Sequence, residues 1–253
     1  MQIVRALAEG RVEGRVVCVH DLSRERAQEA ARLAGAEVAD SIEELLQSEA
    51  EVVVECASVD AARSMLLPAL ELKKQVVLLS TGALADPELL RRVERFHGSK
   101  VHVPSGAIGA LDALRAAREG ELRRVLLRTT KPPRALQGSP YVERSGLELS
   151  SLRKKTRIFS GTALEAISGF PANINVAVAV SLAGLGTERT MVEIYADPEA
   201  MINVHEVFAE GDFGRLYFRT ENLPSRENPR TSQLAVLSAI ALLRRLGGVL
   251  QVG

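Results

Sequence analysis

The run Glu51-Val52-Val53-Val54-Glu55-Cys56-Ala57-Ser58 decides the fold of the first part of this chain. Consecutive β-branched residues without alternation mark a strand buried on both faces, as parallel strands are. The small residues that close it start a turn into a helical stretch, Ala61–Leu72. Working outward, the same unit recurs. Upstream, Arg15–His20 is a short apolar strand that stops at Asp21, and Ser23 caps a helix over Arg24–Leu33. Glu37–Val38 is a brief strand, and Ser41 caps a helix beginning at Ile42. Downstream come a strand at Gln75–Leu79, a helix at Asp86–Phe96 with Pro87 in its first turn, and a strand at Lys100–Val103. A short helix over residues 2–9, ended by Gly10, precedes them all. Strands alternating with helices of this length predict an α/β domain with a parallel sheet.

After Pro104 the pattern changes. Residues Gly106–Glu119 read as a helix, Arg123–Thr130 as a half-buried strand, and 134–155 as a polar loop. Ile158 leads into a helix near Ala163–Ser168, and the small apolar residues of Ala172–Ala183 predict another. Thr190–Ala196, Asn203–Glu210 and Gly214–Glu221 read as three strands joined by turns, an antiparallel meander. A final helix spans Thr231–Leu246. The expected organisation is a parallel-sheet domain over 1–104, an α+β domain with a mainly antiparallel sheet over 105–230, and a closing helix in 231–253 that packs back on the first domain.

Composition narrows the function classes. Lys plus Arg and Asp plus Glu each number 32, so neither a nucleic-acid footprint nor attraction to an anionic membrane is expected. No apolar run is long enough for a membrane span, and the N-terminus lacks the form of a secretion signal, so the expected compartment is the cytoplasm. The two cysteines, Cys18 and Cys56, lie in apolar runs and are expected in the core. The four histidines show no metal-ligand spacing, and no metal site is expected.

Three segments place polar groups among apolar ones, the pattern of a small-molecule site. In Asn203-Val204-His205-Glu206-Val207, His205 is either a structural histidine or an acid/base group working near neutral pH. Glu206 points to the opposite strand face, as a surface or ion-pairing residue. In Phe170-Pro171-Ala172-Asn173-Ile174-Asn175-Val176, Asn173 is a helix cap or a ligand contact, and Asn175 cannot be that same cap. In Ser105-Gly106-Ala107-Ile108-Gly109, backbone amides of a glycine turn can hold an anion or a carboxamide, or simply form a hinge.

Asp21, past a strand end, is placed either to accept from ribose hydroxyls of a dinucleotide or to open the turn before Ser23. Cys56-Ala57-Ser58 and Ser80-Thr81-Gly82 follow parallel strands at the carboxyl edge where ligands sit in such sheets, and ordinary strand-to-helix turns are the other reading. Cationic candidates for an anionic substrate are Arg128, Lys131, Arg153, Lys154, Lys155 and Arg157; the proline-stiffened Thr129-Thr130-Lys131-Pro132-Pro133 favours Lys131. The Gly-x-Gly-x-x-Gly loop that should precede Asp21 is absent. A first strand, expected between the strands ending near His20 and Cys56, is absent with it, so weak dinucleotide binding is expected.

Taken together, these blocks resemble the L-aspartate dehydrogenase family. Leu79–Asp86, Val103–Gly109, Thr129–Pro133, Phe170–Val176, Asn203–Glu206, Glu210–Gly214 and Glu227–Ser232 carry the resemblance. Gly109-Ala110 departs from the Gly-Gly of many relatives. The resemblance implies a Rossmann-like first domain without its first strand and glycine loop, and a second domain that forms the interface of a homodimer. It implies NAD or NADP as cofactor, with contacts from Asn175 and the Ala107 amide; Asp21, Cys56, Ala57, Ser58, Ser80, Thr81 and Gly82, from their place at strand ends, are expected near it. It also implies His205 as catalytic acid/base; Ser105, Gly106, Lys131 and Asn173, read from the residues themselves, are expected at the substrate. The implied reaction is oxidative deamination of L-aspartate to iminoaspartate, or oxaloacetate and ammonia, feeding NAD biosynthesis. Two alternatives stay open: a related reductase for another amino acid or small dicarboxylate, and a non-catalytic ligand-binding homologue.

Overall fold

A computed structural model describes residues 1–171, 174–228 and 231–250. The chain divides into two compact units. One is Met1–Pro104 with the chain from Val236 onward, and the other is Ser105–Ala235.

The first unit runs α1 (Gln2–Ala8), β1 (Cys18–Val19), α2 (Arg24–Ala34), β2 (Glu37–Val38), α3 (Ile42–Gln47), β3 (Val52–Glu55), α4 (Val59–Glu71), β4 (Gln75–Leu78), α5 (Pro87–Glu94) and β5 (Val101–His102). Every strand pairing is parallel. Val76, Val77 and Leu78 are fully buried, as a strand covered on both faces requires. Ser23, Ser41, Ser58 and Asp86 cap α2, α3, α4 and α5 through their side chains. The sheet is in two pieces, β1–β2 and β3–β4–β5. Among the described residues no strand joins β1 to β3, so the gap lies where the sequence placed it.

The second unit contains α6 (Leu111–Arg118), β6 (Leu122–Lys131), α7 (Pro140–Ser145), β7 (Thr156–Thr162), α8 (Ala163–Gly169), α9 (Ile174–Ala183), β8 (Met191–Ala196), β9 (Asn203–Gly211) and β10 (Gly214–Asn222). Its sheet has the order β10–β9–β6–β8–β7. One face carries the core: Val125, Leu127, Val192, Ile194, Val207 and Ala209 pack against Leu114, Ala166, Ala177 and Val180 of the helices. The last helix, α10 (Gln233–Gly247), sends Ile240, Leu242 and Leu243 into a cluster with Ala6, Val12 and Val77 of the first unit.

Four expectations are corrected. The three late strands form no meander: β9 and β10 are a hairpin, but β8 pairs parallel with β6, which lies between it and β9. Strand order depends on contacts between β6 and strands many residues later, which local turn signals do not report. Residues 106–110 are a turn, and the helix starts only at Leu111, because Gly106 and Ala110 both adopt positive φ. The stretch 134–155 is not wholly loop but holds α7, and 156–162 is the strand β7. Finally, Cys18 is half-buried and Cys56 exposed; Cys56 sits just past the end of β3, outside the apolar run.

Candidate active site

Three neighbouring strands of the second unit switch from apolar to polar residues at the same end of the buried face. On β6 the inward positions run Val125, Leu127, Thr129, Lys131; on β9 they run Ala209, Val207, His205; on β10 they run Leu216, Phe218, Thr220, Asn222. Strand register lines these up. His205 stands directly opposite Thr129 on β6 and Thr220 on β10. The result is a polar row, Thr129–His205–Thr220, at the rim of an otherwise apolar core.

His205 is 5% exposed, and its Nδ1 lies 3.0 Å from Thr129 Oγ1. Burial, and then the nearby charge of Lys131, hold the imidazole down to about pKa 3, so the ring is neutral. Lys131 is itself buried, and desolvation lowers its ammonium to about 8. Thr129 and Lys131 line a cavity of about 20 Å³ with Leu136, Phe170, Ile174 and Ile194. Such a space is large enough for one water.

The row also fixes the turn at 105–110. Thr220 Oγ1 and Asn222 Nδ2 each donate to the Ala107 carbonyl at 3.0 Å. Ser105 and Gly106 are half-buried in this turn. Gly109 packs under the Phe218 ring: a Cβ there would stand 2.3 Å from Phe218 Cζ, so a side chain would force that ring to move. Asn175 is exposed in the first turn of α9. Asn173 lies outside the described residues.

Among the cationic candidates, only Lys131 lies on the face of His205. Arg128 points to the other face, where it bonds Glu193 at 2.9 Å and lies over the rings of Tyr195 and Phe208. Arg153, Lys154, Lys155 and Arg157 are exposed. Glu206 does occupy the opposite face and is ion-paired, with Arg219 at 3.7 Å, but it is buried rather than on the surface and also accepts from the Tyr217 hydroxyl at 2.8 Å.

In the first unit, Glu55 organises the strand ends. This buried carboxylate accepts from the Ala57 amide at 2.8 Å, and from the Ser80 amide and hydroxyl, both at 2.9 Å. It thereby joins the turn after β3 to the turn after β4. Cys56, Ala57 and Ser58 are exposed on the first turn, whereas Ser80, Thr81 and Gly82 are buried in the second. The Ser58 hydroxyl oxygen accepts from the Ala61 amide at 3.1 Å as the cap of α4. Asp21 accepts from the Ser23 amide at 2.8 Å and from Arg26 at 2.9 Å, so the turn-opening role read from sequence is present.

Thr129, Thr220, Asn222 and Glu55 were not singled out from the sequence. Two signals point to them: the apolar-to-polar switch repeated on three strands, and a carboxylate closing a run of valines.

Comparison with known proteins completes the picture. Residues 112–246 match a family model described as aspartate dehydrogenase, C-terminal, and residues 1–104 match one described as homoserine dehydrogenase, NAD binding domain. The L-aspartate dehydrogenase of Methanosarcina barkeri is 44% identical, over 100% of this chain and 94% of its own. That of Bradyrhizobium diazoefficiens is 44% identical over 81% of this chain and 72% of its own. The crystal structure of aspartate dehydrogenase from Thermotoga maritima, 28% identical, superposes with a TM-score of 0.74 and covers 95% of this chain and 100% of that one. A family match over more than half the sequence, together with close relatives along its whole length, establishes that this chain belongs to the L-aspartate dehydrogenase family.

Proposed function

We propose that this chain oxidises L-aspartate with NAD or NADP, giving iminoaspartate and, after hydrolysis, oxaloacetate and ammonia. The observation that carries this reading is the polar row Thr129–His205–Thr220, with Lys131 beside it, at the rim of the apolar core. His205 is the acid/base group. Burial and Lys131 hold its pKa at about 3, below the near-neutral range expected from the sequence, so the ring is neutral at physiological pH and its lone pair is available to a proton of the water that attacks the imine. Lys131 supplies positive charge in a desolvated place, where it attracts a carboxylate far more strongly than a solvated lysine does. Ser105 and Gly106 belong to the substrate side of the same reading, as does Asn173.

Bound NAD(P) would supply the acceptor for the hydride that leaves the α-carbon. The residues present fit part of such a cofactor. The turns after β3 and β4 are built from small residues and are locked together by Glu55, which leaves Cys56, Ala57 and Ser58 as an exposed surface without bulky side chains. Asp21 follows β1, where a ribose would be recognised; within the second unit the Ala107 turn and Asn175 are the proposed contacts. No Gly-x-Gly-x-x-Gly cradle for the pyrophosphate is present in the sequence. Relatives at 44% identity along the whole chain support aspartate over another amino acid, and an enzyme over a non-catalytic homologue.

We further propose a homodimer through the outer face of the second sheet. Tyr195, Phe208 and Tyr217 gather there with Arg128, and Met191 and Tyr217 are 38% and 54% exposed. Among the described residues no helix is long and apolar enough to cross a membrane; the cytoplasm is the compartment that suits an NAD(P)-linked enzyme.

The test is NAD reduction on addition of L-aspartate, repeated with NADP, glutamate and alanine. Turnover with aspartate above the other two supports the reading, as does its loss in His205→Asn. Equal turnover in His205→Asn rejects the role of the histidine.

A further inference from the structure

We propose that Thr129 is the positioning residue for His205: it accepts a hydrogen bond from Nδ1–H and so keeps the Nε2 lone pair available as the base. This deepens the reading of His205 as the acid/base group and rests on it. The two residues are directly opposed on antiparallel β6 and β9, with Oγ1 and Nδ1 3.0 Å apart. Both are buried, at 7% and 5% exposure, so no solvent competes for the bond. Each sits in a strand paired on both sides, and neither backbone has freedom to slide.

The chemistry explains why a hydroxyl serves here. Which imidazole nitrogen carries the proton is set by the bond the other nitrogen makes. A carboxylate at Nδ1 would stabilise the imidazolium and raise the affinity for a proton. A hydroxyl orients the ring without adding charge, and the imidazole stays neutral before reaction. The small cavity that Thr129 lines is large enough for one water, the acceptor its own hydrogen would need. As water adds to the imine carbon, the C–O bond forms and the C=N π pair moves to nitrogen. One water proton passes to Nε2, while Nδ1–H stays on Thr129. With the imine nitrogen protonated at the outset, that proton then returns to the amine nitrogen. As the C–N bond breaks its electron pair leaves with ammonia, the O–H pair becomes the C=O π bond, and the hydroxyl proton passes to Nε2 and on to the ammonia, so that the ring is neutral again. Thr129 thus holds one tautomer through the whole cycle.

The experiment combines kinetics with spectroscopy. Thr129→Val keeps the shape and removes the hydroxyl; Thr129→Ser keeps the hydroxyl. We expect kcat to fall about 10- to 100-fold in the valine variant, with little change in KM for aspartate. The acid limb of its pH profile moves to lower pH, because valine offers the imidazolium no acceptor. The serine variant restores both. In parallel, 15N NMR of the histidine-labelled native protein, which has only four histidines, reads the tautomer without any variant. A His205 ring protonated at Nδ1 supports the inference; a neutral ring protonated at Nε2 overturns it, even if the valine variant does not fold. An unchanged rate and pH profile in Thr129→Val, with His205→Asn inactive, overturns this inference alone. Activity in His205→Asn overturns the reading beneath it.

Discussion

Asn222 Nδ2 lies 3.0 Å from the carbonyl of Ala107, 115 residues earlier in the chain. The last residue of β10 thereby holds the turn that precedes α6. Thr220 donates to the same oxygen, and Asn222 also donates to the Thr220 hydroxyl at 3.1 Å. The turn is therefore fixed by the strand that flanks His205. Asn222→Ala removes one of the two donors in a buried place. A loss of about 1–3 kcal/mol is expected in urea unfolding. KM for the cofactor should rise more than kcat falls, because the turn at Ala107 loses its tether while the histidine row keeps its residues. An unchanged cofactor KM would separate this turn from cofactor binding.

Ala110 adopts φ 62° and ψ 15°, the left-handed region, at the N-cap of α6, and its side chain makes no capping bond. A Cβ there costs roughly 1–2 kcal/mol. Glycine also serves better than alanine as an N-cap. Ala110→Gly gives back part of this through the greater freedom of the unfolded chain. The net expectation is a gain of about 0.5–1 kcal/mol, read as a higher urea midpoint at unchanged slope. A destabilised variant would mean that the methyl group packs usefully.

Lys131 gives stability a pH dependence whose sign is opposite to that of a salt-bridged lysine. Its ammonium is lowered from 10.5 to about 8 by burial. Below pH 8 the folded and unfolded chains both hold the proton. Between 8 and 10.5 the unfolded chain holds more of it, so this group makes stability rise with pH. The full rise is on the order of 3 kcal/mol. Urea unfolding at several pH values from 8 to 10.5 should show the native protein gaining relative to Lys131→Met. Parallel curves for the two would mean that the ammonium reaches solvent.

How much was legible beforehand depended on the range over which each feature is encoded. Buried strands such as Val52–Glu55 and Gln75–Leu78 are local, and their boundaries came within a residue or so of the expected ones. His205 and Lys131 could be picked out because a histidine among strand valines and a lysine before paired prolines are locally unusual. The partner of His205 could not. Thr129 lies 76 residues away and meets it only through the register of β6 against β9, while the turn signals suggested a meander that would have put β8 next to β9. Threonine is also an ordinary strand residue, so neither Thr129 nor Thr220 stands out by type. Glu206 shows the converse limit: its face was readable from strand alternation, its burial was not, because that depends on Tyr217 across the hairpin.

The placement of His205 inside a paired strand, with neighbours hydrogen-bonded on either side, has a consequence for selectivity. Such a group cannot swing to meet its reactant. The molecule being oxidised has to deliver its own reacting carbon to a fixed point while its distal carboxylate finds a charge at a set distance. Under the proposed reading, the discrimination between a four-carbon amino diacid and its five-carbon homologue is then a matter of reach, measured from a rigid ruler, with one methylene as the smallest division.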